Sequence, residues 1–146
     1  AAMGVAQLAK IERFIDEKRR VAQTYNRLLA DVFGLQLPVE LPWARNVYWM
    51  YAVTVQPEFG LSRDQLAARL RDVGVETRTF FCPMNQQPCL QKPGRRTPPC
   101  PVADRLWERG LYLPSSTTLA DETIASIVGK IKAAWAGANL ARRQAA

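Results

Sequence analysis

Histidine is absent from all 146 residues, and cysteine is scarce, with three copies. The first absence removes the commonest general base, and with it the Ser-His and Cys-His nucleophile pairs. Cys82, Cys89 and Cys100 are an odd set in one proline-rich stretch, so any disulfide framework would leave one over, and a reducing compartment is expected. They lack the paired Cys-x-x-Cys or His spacing that zinc sites draw on, and no metal is expected. No apolar run approaches the roughly 20 residues that span a bilayer, and the N-terminus lacks the basic-then-apolar layout of a signal peptide. A cytoplasmic protein without membrane association is the expectation.

What is present suffices for a single core: 48% of the residues are hydrophobic and 23% charged. The formal charge of +7 raises the question of nucleic acid. Its distribution answers against a specific nucleic-acid partner, because Lys10, Arg13, Lys18, Arg19 and Arg20 alternate with Glu12, Asp16 and Glu17. That is the pattern of a solvated helix face with local ion pairs. Arg95-Arg96 and Arg142-Arg143 are only short pairs.

Apolar residues from Val5 to Val32 recur mostly every three or four positions, which predicts one amphipathic helix over 2–33 with Gly34 as its stop. A break near Glu17 to Arg20 is the alternative. Pro38 and Pro42 bracket an extended connection, and Val47 to Val55 reads as a strand covered on both faces, with Trp49 and Tyr51 in the core. Ser62 and Gln65 have capping-box spacing at the start of a second helix that closes at Gly74, and Val75 to Phe81 reads as the next strand. The stretch from Cys82 to Pro101 holds six of the ten prolines, which precludes regular structure, and Pro101 opens a short helix to Arg109. Leu111 to Leu113 is a brief strand, and Asp121 and Glu122 begin the last helix, with Ile124, Ile127, Val128, Ile131 and Trp135 on its inner face. The fold class that results is α+β. It divides into a long N-terminal helix (1–34), an α+β domain (35–136) and a fraying tail (137–146).

Four stretches taken in order, AAMGVAQLAKIERFIDEKRR, NVYWMYAVTV, GVETRTFFCPMNQQP and GLYLPSSTTLADETIASIVGKI, resemble the C-terminal small domain of the DegT/DnrJ/StrS family of sugar aminotransferases. The resemblance implies a small domain of a fold-type I aminotransferase: a short, mostly antiparallel sheet of about three strands packed by helices, with the N-terminal helix as a linker to a large domain. It also implies that pyridoxal phosphate, its Schiff-base lysine and the other catalytic signatures belong to that large domain, upstream of Ala1. This chain is then expected to hold no cofactor and no catalytic residue, since Lys10, Lys18, Lys92, Lys130 and Lys132 fall on faces that read as exposed or in a loop.

In such an enzyme the small domain gives a wall of the nucleotide-sugar pocket near the dimer interface. Arg78 is the leading candidate for substrate binding, because a guanidinium fork suits phosphate or carboxylate; a solvent-facing edge or a pair with Glu76 is the competing reading. Phe81 and Asn85 are the other two candidates, Asn85 standing where family members frequently carry histidine, and an amide there cannot titrate near neutrality. Ser115 and Ser116 read chiefly as a hydrogen-bonded turn. A stand-alone, non-catalytic dimerisation or protein-binding module is the alternative. Either way the N-terminal helix carries more apolar surface than the chain can cover, so Leu8, Ile11 and Ile15 are expected to join two copies as a homodimer, or to meet a large domain if one is supplied.

Overall fold

Ser62 and Gly74 delimit the element whose ends the sequence specifies most fully. In the computed structural model, which describes residues 1–91 and 98–144, helix α3 runs over Arg63–Asp72. The Ser62 side chain accepts from Gln65 N–H and the Gln65 side chain accepts from Ser62 N–H, which closes the capping box. At the other end Val75 N–H donates to Leu70 O at 2.8 Å and Gly74 N–H to Arg71 O at 2.9 Å, with Gly74 at φ 79°. That is a Schellman cap, and its apolar clasp is the pair Leu70 and Val75, both buried.

The remaining elements are α1 (Ala2–Leu8), α2 (Ile11–Leu29), β1 (Leu35–Gln36), β2 (Tyr51–Val55), β3 (Arg78–Thr79), α4 (Pro101–Arg109), β4 (Gly110–Leu113) and α5 (Asp121–Gln144). The fold is α+β, with four strands in the order β1-β2-β4-β3, every neighbour antiparallel. Alternation along the strands turns Tyr51, Val53, Val55, Leu111 and Leu113 into the core. There they meet Val21, Tyr25 and Leu29 of α2, Leu66 and Leu70 of α3, and Ile124, Ile127, Val128 and Ile131 of α5. On the opposite sheet face Phe80 stacks on Tyr112 with ring centroids 4.6 Å apart.

Several expectations are corrected. The N-terminal helix is not continuous over 2–33, and its break falls at Ala9-Lys10 instead of Glu17 to Arg20. Lys10 N–H bonds back to Gln7 O, a tightened last turn, and none of the residues of α1 is buried, so no packing holds the two pieces in line. The strand expected from Val47 is β2 and begins at Tyr51, four residues later, because Tyr48 takes a left-handed φ of 46° and turns the chain there. Trp49, expected in the core, is 69% exposed. The strand expected over Val75 to Phe81 shortens to Arg78–Thr79; on its N-terminal side the register runs toward Pro114, which has no N–H with which to continue the ladder. Residues 137–144, expected to fray, complete α5, where Ala138 is buried and Asn139 Nδ2 donates to Phe59 O. Lys92 and the Arg95-Arg96 pair lie outside the described residues.

Gly34 and Gly74 both have positive φ, but a Cβ on Gly34 would overlap the backbone of Glu58 and Phe59, whereas one on Gly74 meets nothing within 4 Å. Gly74→Ala should therefore cost only the left-handed penalty of about 1–2 kcal/mol. Gly34→Ala should cost at least about 3 kcal/mol, since it must also push two chain segments apart. Urea unfolding of the two variants measures the difference, and equal losses would show that the close approach at Gly34 is not a constraint.

Candidate functional site

The site is built where β2 begins and β4 ends, since antiparallel pairing sets Tyr51 opposite Leu113. Beyond Leu113 the chain turns through Pro114, Ser115 and Ser116, while on the other side of β4 the edge strand β3 brings in Thr77 and Arg78. Between them opens a cleft of about 430 Å³, reached also by Trp49 and by Lys18 from α2. Arg78 pairs with Tyr112 in register and is exposed. Among the described residues it has no carboxylate at ion-pair distance, although Glu76 lines the same cleft. Its fork is therefore available to an anion, and the pairing with Glu76 is not formed.

Lys18 departs from the sequence reading. It is half-buried, and its Nζ donates to Trp49 O at 3.0 Å and also to Ser115 O. Burial lowers its pKa. Two turns further along the same helix face Tyr25 stacks on Tyr51 and donates to Pro114 O at 3.0 Å, so one stripe of α2 carries the floor of the cleft. That i, i+7 relation to a buried aromatic was the available sequence signal for Lys18. Its polar neighbours hid it.

The turn itself is hydrogen-bonded, as its serines suggested. Ser115 Oγ accepts from Tyr51 N–H, and Ser116 Oγ shares a 2.9 Å hydrogen bond with Thr118. Arg20 fastens the approach to α5 through Asp121 and Leu119 O. Arg19 forks onto Glu40, which also accepts from Asn46 N–H. The Arg19 hydrogen bonds hold the Glu40 carboxyl below its ordinary pKa.

The other expected residues divide. Phe81 does not line the cleft; it is exposed and tilts against Tyr112, which does, with ring centroids 6.2 Å apart. Asn85 is not brought to the cleft; its Nδ2 donates to Asp104 Oδ1, which also receives Gln86 Nε2 at 2.6 Å. Leu8 and Ile11 are exposed and Ile15 is half-buried.

Pyridoxal phosphate requires a lysine for its Schiff base, an acid against the pyridine nitrogen and donors around its phosphate. The described lysines do not supply that set. Lys18 is the one that lines the cleft, and its ammonium is directed at carbonyl oxygens. Lys130 donates to Val73 O, Lys132 to Asp31, and Lys10 is exposed. Among the described residues no cluster of three or more Cys, Asp or Glu is placed to hold a metal ion, and no helix is long and apolar enough to cross a membrane.

Comparison with known proteins adds a family model, described as the DegT/DnrJ/EryC1/StrS aminotransferase family, that matches residues 1–132. The chain is 32% identical over 132 residues to a GDP-perosamine synthase of Vibrio cholerae, covering 90% of this chain and 35% of that protein. It is 32% identical over 135 residues to a dTDP-4-dehydro-2,3,6-trideoxy-D-glucose 4-aminotransferase of Saccharopolyspora spinosa, covering 92% of this chain and 33% of that one. The structure superposes on the aminotransferase TlmJ from Streptoalloteichus hindustanus with a TM-score of 0.80 and 29% identity, over 92% of this chain and 35% of that one. The chain thus spans about a third of the length of these relatives.

Replacing Lys18 with methionine keeps the stem and removes the donor from two carbonyls. Lys18→Met should destabilise by about 1–2 kcal/mol, and Lys130→Met, whose partner is solvent-exposed, by less than about 0.5 kcal/mol. Paired urea titrations check this, and equal losses would return Lys18 to the status of an ordinary surface residue.

Proposed function

The chain belongs to the DegT/DnrJ/EryC1/StrS aminotransferase family, and from that premise we propose that it is the C-terminal small domain of a pyridoxal-phosphate-dependent nucleotide-sugar aminotransferase, not catalytic by itself. The observation that carries this reading is the cleft at the Tyr51 and Leu113 end of the sheet, with one unpaired guanidinium on its wall. Arg78 offers its fork to a sugar nucleotide's phosphates. The exposed Trp49 offers a flat apolar face to a base or a sugar ring, and Phe81 extends that wall past Tyr112. Lys18 holds the Ser115 turn in place, and Asn85 fixes the Met84–Gln86 turn through Asp104.

The cofactor, its lysine and the proton transfers are contributed by a large domain, either elsewhere in a longer chain or in a separate one. Coverage of about a third of the relatives supports this division. The names of those relatives support a nucleotide-linked keto-sugar as the molecule aminated. The three free cysteines, two of them exposed, support a reducing, cytoplasmic setting.

A chimera tests the proposal. With this chain in place of the matching third of the Vibrio cholerae synthase, sugar transamination should remain measurable, while the chain alone transfers no amino group. Arg78→Gln in the chimera should raise KM for the nucleotide sugar about tenfold, the loss of one charge-assisted hydrogen bond, with a smaller effect on kcat. A folded, cofactor-loaded chimera indifferent to Arg78→Gln would remove the cleft from the substrate site.

We also propose that the isolated chain pairs with a second copy through α1 and the start of α2. Val5 and Leu8 on α1 and Ile11 at the start of α2 are all exposed, Leu8 at 67%. Sedimentation at about 100 µM should find a dimer, and Leu8→Glu with Ile11→Glu should return it to monomer by burying two charges at the contact. A wild-type monomer, or a dimer unmoved by both charges, contradicts this pairing.

A further inference from the structure

Three arginines from three helices meet at the other end of the sheet, where β2 finishes and β4 starts. Arg63 opens α3, Arg109 closes α4 and Arg142 lies in the last turns of α5; with Gln56, Ser62 and Glu108 they line a cleft of about 350 Å³. Register separates it from the cleft of Arg78, because Thr54 pairs with Gly110 at this end and Tyr51 with Leu113 at the other.

Each guanidinium is oriented by a neutral acceptor. Arg63 Nη1 donates to Trp107 O at 2.9 Å, Arg109 Nη1 to Gln56 Oε1 at 2.9 Å, and Arg142 Nη1 to Pro57 O at 3.4 Å. Such bonds fix a fork without cancelling its charge. Among the described residues Arg109 and Arg142 have no carboxylate at ion-pair distance, and Glu108, although it lines the cleft, pairs with none of the three. Asp64 Oδ1 lies 2.5 Å from Arg63 Nε but outside hydrogen-bond geometry, so that buried N–H has no partner. The Arg63 side chain is only 11% exposed. The Asp64 carboxylate compensates the charge of Arg63, so the cationic excess of the cleft rests on Arg109 and Arg142, for which an anion would be the missing partner.

The shape of the donor set selects the anion. We propose that this cleft binds a phosphate-type oxyanion, held between Arg63, Arg109 and Arg142. A planar carboxylate engages one fork, whereas forks arriving from three elements suit the divergent oxygens of a tetrahedral group. The start of α3 adds to the field, since Ser62 and Gln65 cap each other and the other first-turn N–H groups have no intrahelical acceptor. This inference is independent of the aminotransferase reading and survives if that reading fails.

Arginine Nε–H resonances of the 146-residue chain report the site directly. Titration with inorganic phosphate at constant ionic strength, balanced with chloride, should give saturable shifts at Arg63, Arg109 and Arg142 with a common midpoint. Arg109→Gln and Arg142→Gln should each weaken binding about tenfold, while Arg45→Gln, an equal loss of charge elsewhere, should change it less than about twofold. Pyrophosphate tighter than phosphate assigns a diphosphate-bearing ligand, and equal midpoints assign a single phosphoryl group; both support the site. Non-saturating shifts, an equal response to acetate, or equal weakening by Arg45→Gln would overturn it. Should the arginine variants unfold, the wild-type titration decides alone.

Discussion

The stacked pair Tyr25 and Tyr51 is the contact on which the arrangement of this domain depends. Neither ring is exposed, and their centroids are 4.6 Å apart across the boundary between α2 and the sheet. Each hydroxyl leaves the core at a chosen point: Tyr25 reaches Pro114 O, and Tyr51 reaches Asn26 Oδ1 at 2.7 Å. A buried phenol needs such a partner, and burial also raises both pKa values by disfavouring the phenolate. The pair therefore does two things at once. It fastens the helix to β2, and it fixes the end of β4 from which the Ser115 turn departs.

Once α2 is fixed, the three successive cations Lys18, Arg19 and Arg20 are aimed in different directions by the helix's 100° step. Lys18 goes to the Ser115 turn, Arg19 to Glu40 and Arg20 to the start of α5. Their partners lie between 21 and 101 residues away in the chain. This explains why the segment read as a solvated face. Local alternation of charge is visible in the sequence, but the choice between a neighbour and a distant loop depends on where the loops come to rest. Arg20 shows both, since it also bonds Glu17 three residues before it.

Legibility followed the range of the interaction that sets each feature. The capping box of α3, its Schellman end, Pro101 at the start of α4 and the acidic start of α5 are decided within five or six residues, and all were readable. Strand limits were not, because the partner decides them: β3 starts late because its N-terminal side would face Pro114, and β2 starts after the turn at Tyr48. Arg78 and its strand could be picked out of the site by residue type. Lys18 could not, nor could the exposure of Trp49. An aromatic in a strand-like run reads as core whether its cover comes from the same chain or from another surface.

Three of the surfaces that carry exposed apolar or basic groups lie apart from one another in this domain. Val5, Leu8 and Ile11 lie on the helical arm, Trp49 at the cleft at one end of the sheet, and Arg109 and Arg142 at the other end, while Phe33, Trp43 and Met84 are exposed elsewhere. The core between them is filled by residues that the chain covers itself, so none of these three surfaces is needed to hold the fold together. Surfaces that are dispensable for folding are free to be shaped by what they touch. The Arg78 cleft and the arginine cleft lie at opposite ends of β2 and β4, so what is shaped at one end does not constrain the side chains at the other.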